Sequence, residues 1–290
     1  MFFCGRKGPS LACPKGRSST TPLTLMLTLQ SDLHGNRLLQ SLPCHDWQAL
    51  APDLEVVRLE SSNVLCGPGE RMQYAYFPIS ATVSLVQNME DGRSIEVAAI
   101  GREGTTGAAL LADIEVLAWS IEVQCAGAAY RIRTSALKKQ FKRSDCLRRL
   151  VMLYVQVLFT RSAQLAACHR HHSVEQQLCR WILDAVDATL DSTIETTQQR
   201  IADLLCVRRE GITAFVGRLQ KAGLIYPTRG RIKVVNRQGL EARACECYAL
   251  TKNEAGRLLS SYPSARAAFC RPQYVRSRAR SAAFRSKESN

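Results

Sequence analysis

Between Leu54 and Thr134 the chain is cut into short β-favouring runs by turn residues, and no other feature narrows its fold as much. The runs read LEVVRL, SSNVLCGPGE, YAYFPIS, TVSLVQNMEDG, RSIEVAAIG, WSIEVQCAG and AYRIRT. In the fifth, Ile95, Val97 and Ala99 alternate with Ser94, Glu96 and Ala98, the period of a strand with one buried face. Turn signals recur at 68–70 (PGE), 90–92 (EDG), 101–104 (GREG) and 126–127 (AG). Many short strands at this spacing predict a small antiparallel barrel or sandwich.

The flanks read differently. Residues 1–30 are rich in Ser, Thr, Pro and Gly without a sustained period, which predicts a disordered tail in which Met26 is an alternative start. HGNRLLQSLPCHDWQALAPDL (34–54) reads as short helical pieces broken at Pro43 and Pro52. From Ala136 to Cys168, Leu147, Val151, Tyr154, Leu158 and Leu165 approximate a heptad seam, which predicts one long helix that pairs with a second copy rather than packing on its own domain. His169 and His172 in HRHHSVEQQLCRWILDAV (169–186) are spaced to share a helix face. No carboxylate or thiol is placed to complete a metal site, so the histidines read as a hinge or interdomain packing cluster. A catalytic Cys168–His169 pair is disfavoured, because nucleophile and base normally meet through the fold.

The formal net charge of +14 is concentrated at the ends. Residues 1–30 carry four basic and no acidic side chains, and 251–290 carry nine basic and two acidic. Basicity overall therefore says little about a nucleic-acid partner. The twelve cysteines are scattered without a C-x-x-C, the closest pair being Cys245 and Cys247. They read as reduced thiols buried as small hydrophobes. No segment has the build of a secretory signal, and the longest strongly apolar run, LVMLYVQVLF (150–159), is too short for a membrane span. A cytoplasmic protein without a membrane partner is expected.

The segment from Thr196 to Arg237 carries the chemistry. TTQQ (196–199) has Thr three residues before Gln, the pattern of a capping box. Ile201, Ala202, Leu204 and Leu205 supply the buried face of a short helix. A turn at Cys206–Val207 leads into a second helix that stops at Gly223, with Lys221 in its last turn. Two short helices joined by a tight turn predict a helix-turn-helix. On a wheel with Ile212, Phe215, Val216 and Leu219 inward, Glu210, Thr213, Ala214, Gly217 and Lys221 face out, with Arg209 on their flank. Cations in a helix's first turn oppose its dipole, but there they would meet a polyanion. Arg grips guanine O6 and N7, Glu accepts from cytosine N4, and small residues permit close approach to base edges. LIYPTRGRIKVVNR (224–237) reads as a hairpin with a basic tip at Arg229 and Arg231, a wing against phosphates. Residues 197–237 hold nine basic and two acidic side chains within an otherwise balanced middle of the chain. The candidate DNA-contacting set is Thr197, Gln198, Arg208, Arg209, Glu210, Thr213, Ala214, Gly217, Arg218, Lys221, Arg229 and Arg231.

With YFP (76–78), GREG (101–104), RHHSVEQQLCRWIL (170–183), VRREG (207–211) and RLQKAGLI (218–225) in order, the chain resembles the Crp/Fnr superfamily of bacterial transcription regulators over about 32–250. The resemblance implies an α+β fold: an antiparallel cyclic-nucleotide-binding-like β-roll, a long dimerisation helix and a C-terminal winged helix-turn-helix. It implies that Arg209 and Glu210 read bases. Ala214 replaces a third base-reading arginine of some members, and Cys206 stands where glycine is usual. Gly101, Glu103 and Gly104 match part of the cyclic-nucleotide segment and are the candidate effector residues. The later segment, LAWSI (117–121), lacks the arginine that would neutralise a cyclic phosphate. Burying that anion uncompensated is costly, so cyclic-AMP binding is not expected. Cys4, Cys13, Cys44 and Cys66 do not reproduce the spacing of the iron–sulfur members, and neither an iron–sulfur cluster nor another metal or cofactor is expected.

The expected organisation is a tail over 1–31, a β-roll sensor over 32–140, a dimerisation helix over 141–169, a winged-helix domain over 170–250 and a basic disordered tail over 251–290. The expected function is a homodimeric regulator that binds a palindromic site on double-stranded DNA, answers an unknown small-molecule effector and has RNA polymerase as a further partner. The alternative is a dimeric ligand- or protein-binding module whose winged helix does not read DNA. An enzyme is disfavoured, because no nucleophile–base pair, phosphate loop or metal cluster has suitable spacing.

Overall fold

The computed structural model describes residues 35–189 and 191–260. The tail expected over 1–31 and residues 261–290 of the C-terminal tail lie outside the described residues. Two short helices, α1 (Arg37–Gln40) and α2 (Cys44–Leu50), are separated at Pro43, and Pro52 lies in a 3₁₀ turn (Ala51–Asp53). Proline lacks the N–H that a continuing helix needs, which explains both interruptions.

All seven expected runs form strands: β1 (Glu55–Leu59), β2 (Val64–Cys66), β3 (Tyr74–Pro78), β4 (Thr82–Asn88), β5 (Ser94–Ile100), β6 (Ser120–Cys125) and β7 (Gly127–Arg133). One antiparallel sheet has the order β1-β7-β3 and the other β2-β6-β4-β5. Phe77, Val83, Ile121, Val123 and Ile132 fill the space between them, each no more than 1% exposed. This is the β-roll that the resemblance implies, built from the short antiparallel strands that the run spacing predicts.

The helical stretch that follows is not continuous. Helix α3 (Thr134–Arg143) ends at Ser144, which leaves the helical region and caps α4 (Asp145–His171) by accepting a 2.9 Å hydrogen bond from the Leu147 N–H. Serine competes for backbone donors in this way, so the boundary is a cap and not a kink. One face of α4 packs into the roll through Leu147, Val151, Tyr154 and Val157, each at most 1% exposed, with Leu158 half-buried beside them. Leu165 is also buried. The expected dimerisation seam is thereby corrected, because the chain's own core covers it. The exposed apolar stripe of α4 is Met152, Val155 and Phe159. By length and composition α4 would cross a bilayer, with a mean hydropathy of 1.3 over 18 residues. That exceeds the sequence expectation; one face of α4 lies on the roll, and 28% of that window is buried.

Helix α5 (Val174–Thr189), β8 (Thr193–Glu195), α6 (Gln198–Leu204), α7 (Arg209–Lys221), β9 (Ile225–Thr228) and β10 (Arg231–Val234) build the next unit. The sheet order β8-β10-β9 adds an edge strand to the expected hairpin. Trp181, Ile194, Ile201, Ile212, Val216, Leu219 and Ile232 share its core, and Val86 and Cys125 of the roll join that cluster. Helices α8 (Arg237–Glu241) and α9 (Cys247–Ser260) complete the described chain. The expectation of disorder from 251 onward is corrected for 251–260: these residues continue α9, which packs along α4 and buries Ala255 in the roll's cluster. The net charge of the whole segment masks this apolar contact.

Candidate nucleic-acid interface

The first helix of the pair, α6, is capped by Thr197, whose hydroxyl accepts from the Arg200 N–H at 3.1 Å. The cap is one residue later than the TTQQ pattern suggests, and Thr196 is buried with an unpartnered hydroxyl. The turn then passes through Cys206 at φ +52°, a left-handed conformation that glycine adopts freely and cysteine does not. Helix α7 follows from Arg209, with Arg208 as N-cap residue and no side-chain cap. It ends before Gly223, whose φ of +69° lets the Leu224 N–H reach the Leu219 carbonyl at 3.0 Å.

The helical wheel agrees with the structure. Ile212, Val216 and Leu219 are buried at 2% exposure or less, with Phe215 half-buried. Arg208, Arg209, Glu210, Thr213, Ala214 and Lys221 are exposed, and a side chain at Gly217 would meet nothing within 4 Å. Among the described residues, Arg208, Arg209, Lys221 and Arg229 form no ion pair with a carboxylate. Cations held in the first turn of an exposed helix without an internal partner are available to an external anion. The wing presents Arg229 and Gly230 as a two-residue turn between β9 and β10, with Gly230 at φ +75°.

Other members of the expected set are already engaged. Thr213 donates to the Gln198 side-chain oxygen at 2.7 Å, a bond that fixes α7 against α6. Arg218 pairs with Glu175 at 3.1 Å and lies over the Phe215 ring at 4.3 Å. Arg231 pairs with Glu195 across the wing at 2.7 Å. Arg218 is therefore directed to the start of α5, with its side chain still 55% exposed. Exposed pairs such as Arg231–Glu195 are weak enough for a phosphate to compete.

The candidate effector residues are brought together but are occupied. The Glu103 side chain is 13% exposed and ion-paired to Arg161 of α4, and it accepts from the Gly101 N–H at 3.2 Å. Burial alone would raise its pKa, but the Arg161 charge and those hydrogen bonds hold it below the usual glutamate value. A β-carbon on Gly104 would overlap the Tyr154 ring. The GREG loop is thus docked against α4. Sequence reasoning missed Arg161 and Tyr154 as its partners because they lie about fifty residues away. It also missed that Cys168, Cys245 and Cys247 converge on His172.

Residues 176–243 match the sequence model described as the Crp-like helix-turn-helix domain. No curated protein sequence matches the chain. Among solved structures, FixK2 of Bradyrhizobium japonicum is similar at 14% identity and TM-score 0.56, over 66% of this chain and 98% of that one. A putative Crp/Fnr-family regulator of Eubacterium rectale is similar at 16% identity and TM-score 0.54, over 71% of this chain and 96% of its own. The c-di-GMP-responsive global regulator CLP of Xanthomonas campestris is similar at 16% identity and TM-score 0.53, over 66% and 99%. Residues 176–243 are thus a domain of the Crp-like helix-turn-helix family, carried on a chain with the fold of the Crp/Fnr regulators.

Proposed function

We propose that the protein is a homodimeric, sequence-specific DNA-binding transcription regulator acting in the cytoplasm. The observation that carries this reading is the unpaired first turn of α7. Arg208, Arg209 and Glu210 are exposed on a helix whose other face is packed through Ile212, Val216 and Leu219, and among the described residues no ion pair accounts for them. Arg209 and Glu210 would read a G·C-containing step in the major groove, with Ala214 and Gly217 allowing close approach. Arg229 at the wing tip would hold an adjacent phosphate.

The Met152, Val155 and Phe159 stripe supports pairing of two α4 helices, because large exposed apolar side chains at helical spacing favour a partner. Two copies would present two α7 helices to the half-sites of a palindrome. The similar proteins of Eubacterium rectale and Xanthomonas campestris are described as regulators, in keeping with this reading. RNA polymerase would be contacted at the promoter. The signal is a small molecule other than a cyclic nucleotide, since Glu103 is committed to Arg161 and the LAWSI segment offers no phosphate-neutralising arginine.

Selection of DNA fragments from a random pool by the purified chain, followed by sequencing, tests the proposal. A recovered palindrome with guanine or cytosine opposite Arg209 and Glu210 is expected. Recovery of fragments with no shared motif, at low salt and with the dimer intact, would overturn it.

A further inference from the structure

Four potential ligand atoms from two distant segments meet at the C-terminal end of α4. Cys168 and His172 come from its last turn and C-cap, Cys247 from the first residue of α9 and Cys245 from the segment just before it. The three sulfurs and one imidazole nitrogen all lie within 4.8 Å of one another. Cys168 Sγ is 3.5 Å from Cys245 Sγ, and Cys247 Sγ is 3.4 Å from His172 Nδ1. A tetrahedral ion with Zn–S bonds of about 2.3 Å separates its ligands by roughly 3.8 Å. The cluster needs only sub-ångström adjustment to reach that geometry. Thiolates bridged through an iron–sulfur cluster would stand farther apart, so the spacing suits one ion.

The surroundings are also those of a metal site. Cys168, Cys245 and Cys247 are at most 4% exposed and form their own buried group. The other ring nitrogen of His172, Nε2, lies 3.2 Å from the Glu246 carboxylate. A carboxylate behind a histidine fixes the tautomer and raises ligand basicity. Gln164 donates to Cys247 Sγ at 3.0 Å, and Gln177 donates to the carbonyls of Cys168 and His172 at 3.4 and 2.9 Å, which pins the end of the helix. Arg180 is 5% exposed, and its Nε and Nη2 have no hydrogen-bond partner. Its Nη1 is paired with the Asp184 carboxylate at 2.8 Å.

We infer that Cys168, His172 Nδ1, Cys245 and Cys247 form a closed Cys₃His site for a single thiophilic divalent cation, zinc in particular. Four protein ligands leave no open position, so the role is structural. Binding deprotonates the thiols and releases up to three protons per ion, so affinity rises with pH. The ion would clamp α9 to the long helix next to the α4–α5 junction, where the winged-helix unit begins. The inference is independent of whether α7 reads DNA.

The test uses the full chain, purified under reducing conditions, stripped with a chelator and desalted. Zinc sulfate is added in competition with a chromophoric chelator, and metal is counted by elemental analysis. One zinc per chain is expected, and cobalt(II) in its place should give the intense visible bands of tetrahedral thiolate coordination. C245S and C247S should each weaken zinc binding at least tenfold, whereas C179S, a buried cysteine outside the cluster, should not. E246A should weaken it by about tenfold through His172 alone. Substoichiometric zinc on a chain with native circular dichroism would overturn the inference. So would retention of zinc by a folded C245S/C247S double variant. Air oxidation to a Cys168–Cys245 disulfide with no zinc uptake by the reduced chain would overturn it as well.

Discussion

The Arg200 guanidinium lies 2.7 Å from the Glu122 carboxylate, and each side chain is only 13% exposed. Arg200 belongs to α6 of the helix-turn-helix and Glu122 to β6 of the roll, so this ion pair crosses from the roll to the helix-turn-helix unit. Val86 and Cys125 of the roll extend the contact into the helix-turn-helix core. Glu122→Gln removes the charge opposite a guanidinium whose Nε and Nη2 already lack partners. Stability should fall by about 2 kcal/mol, and adding Arg200→Leu should recover most of it. Urea denaturation of the two variants measures this, and a double-mutant cycle with no coupling would show that the pair contributes nothing.

Arg209→Ala should cost about 1–3 kcal/mol on the selected DNA site and relax the preference at one base pair, with little effect on random DNA. Arg229→Ala should weaken binding to all sequences alike and lower the salt slope by about one. Titration of labelled duplexes at several salt concentrations separates the two behaviours.

Phe159 is 69% exposed and Met152 61%, while Tyr154 between them is fully buried. Phe159→Glu should therefore convert a dimer to a monomer without unfolding the roll, as light scattering after size exclusion would show. Tyr154→Glu should unfold the chain instead. A Phe159→Glu protein that remains dimeric would place the interface elsewhere.

Two glutamates should give opposite pH signatures. Glu103 is held below its ordinary value of 4.5, so its contribution is present above that pH and is lost as pH falls through the lower folded-state value. Glu96 hydrogen-bonds Ser84 at 2.6 Å, and burial raises its pKa. The native state then binds the extra proton, and stability declines as pH rises above 4.5. Glu96→Gln should stabilise the protein at neutral pH and flatten that decline, whereas Glu103→Gln should destabilise it at neutral pH. Thermal melts between pH 4 and 8 test both signs.

Cys206→Gly should raise stability by about 1 kcal/mol, because it relieves a left-handed cysteine whose side chain is exposed. Differential scanning calorimetry reads the change. A lower melting temperature would mean that glycine's unfolded-chain entropy outweighs the relieved strain.

The strands were legible because turn residues punctuate them and their side chains alternate. The α6–α7 pair was legible because Ile201, Ile212, Val216 and Leu219 mark both buried faces at helical spacing. Helix α4 was only half legible. It is apolar on two stripes, and periodicity cannot say which one its own sheet covers. The break at Ser144 was hidden because the apolar pattern runs on through it. Strand β8 is three residues long, too short to show a period. The Cys168–His172–Cys245–Cys247 cluster could not be read at all. Its halves are more than seventy residues apart and neither has a familiar metal spacing, so only the docking of α9 on α4 reveals it.

Gly104 and Tyr154 fit together as notch and tooth. No side chain fits at Gly104 while the ring fills that space, and Glu103 beside it is latched to Arg161 two turns further along α4. An advance of α4 by a single residue would move Tyr154 by about 1.5 Å, more than so tight a seat can absorb. A shift of the loop or of the helix therefore has to carry the other with it or break the Glu103–Arg161 pair.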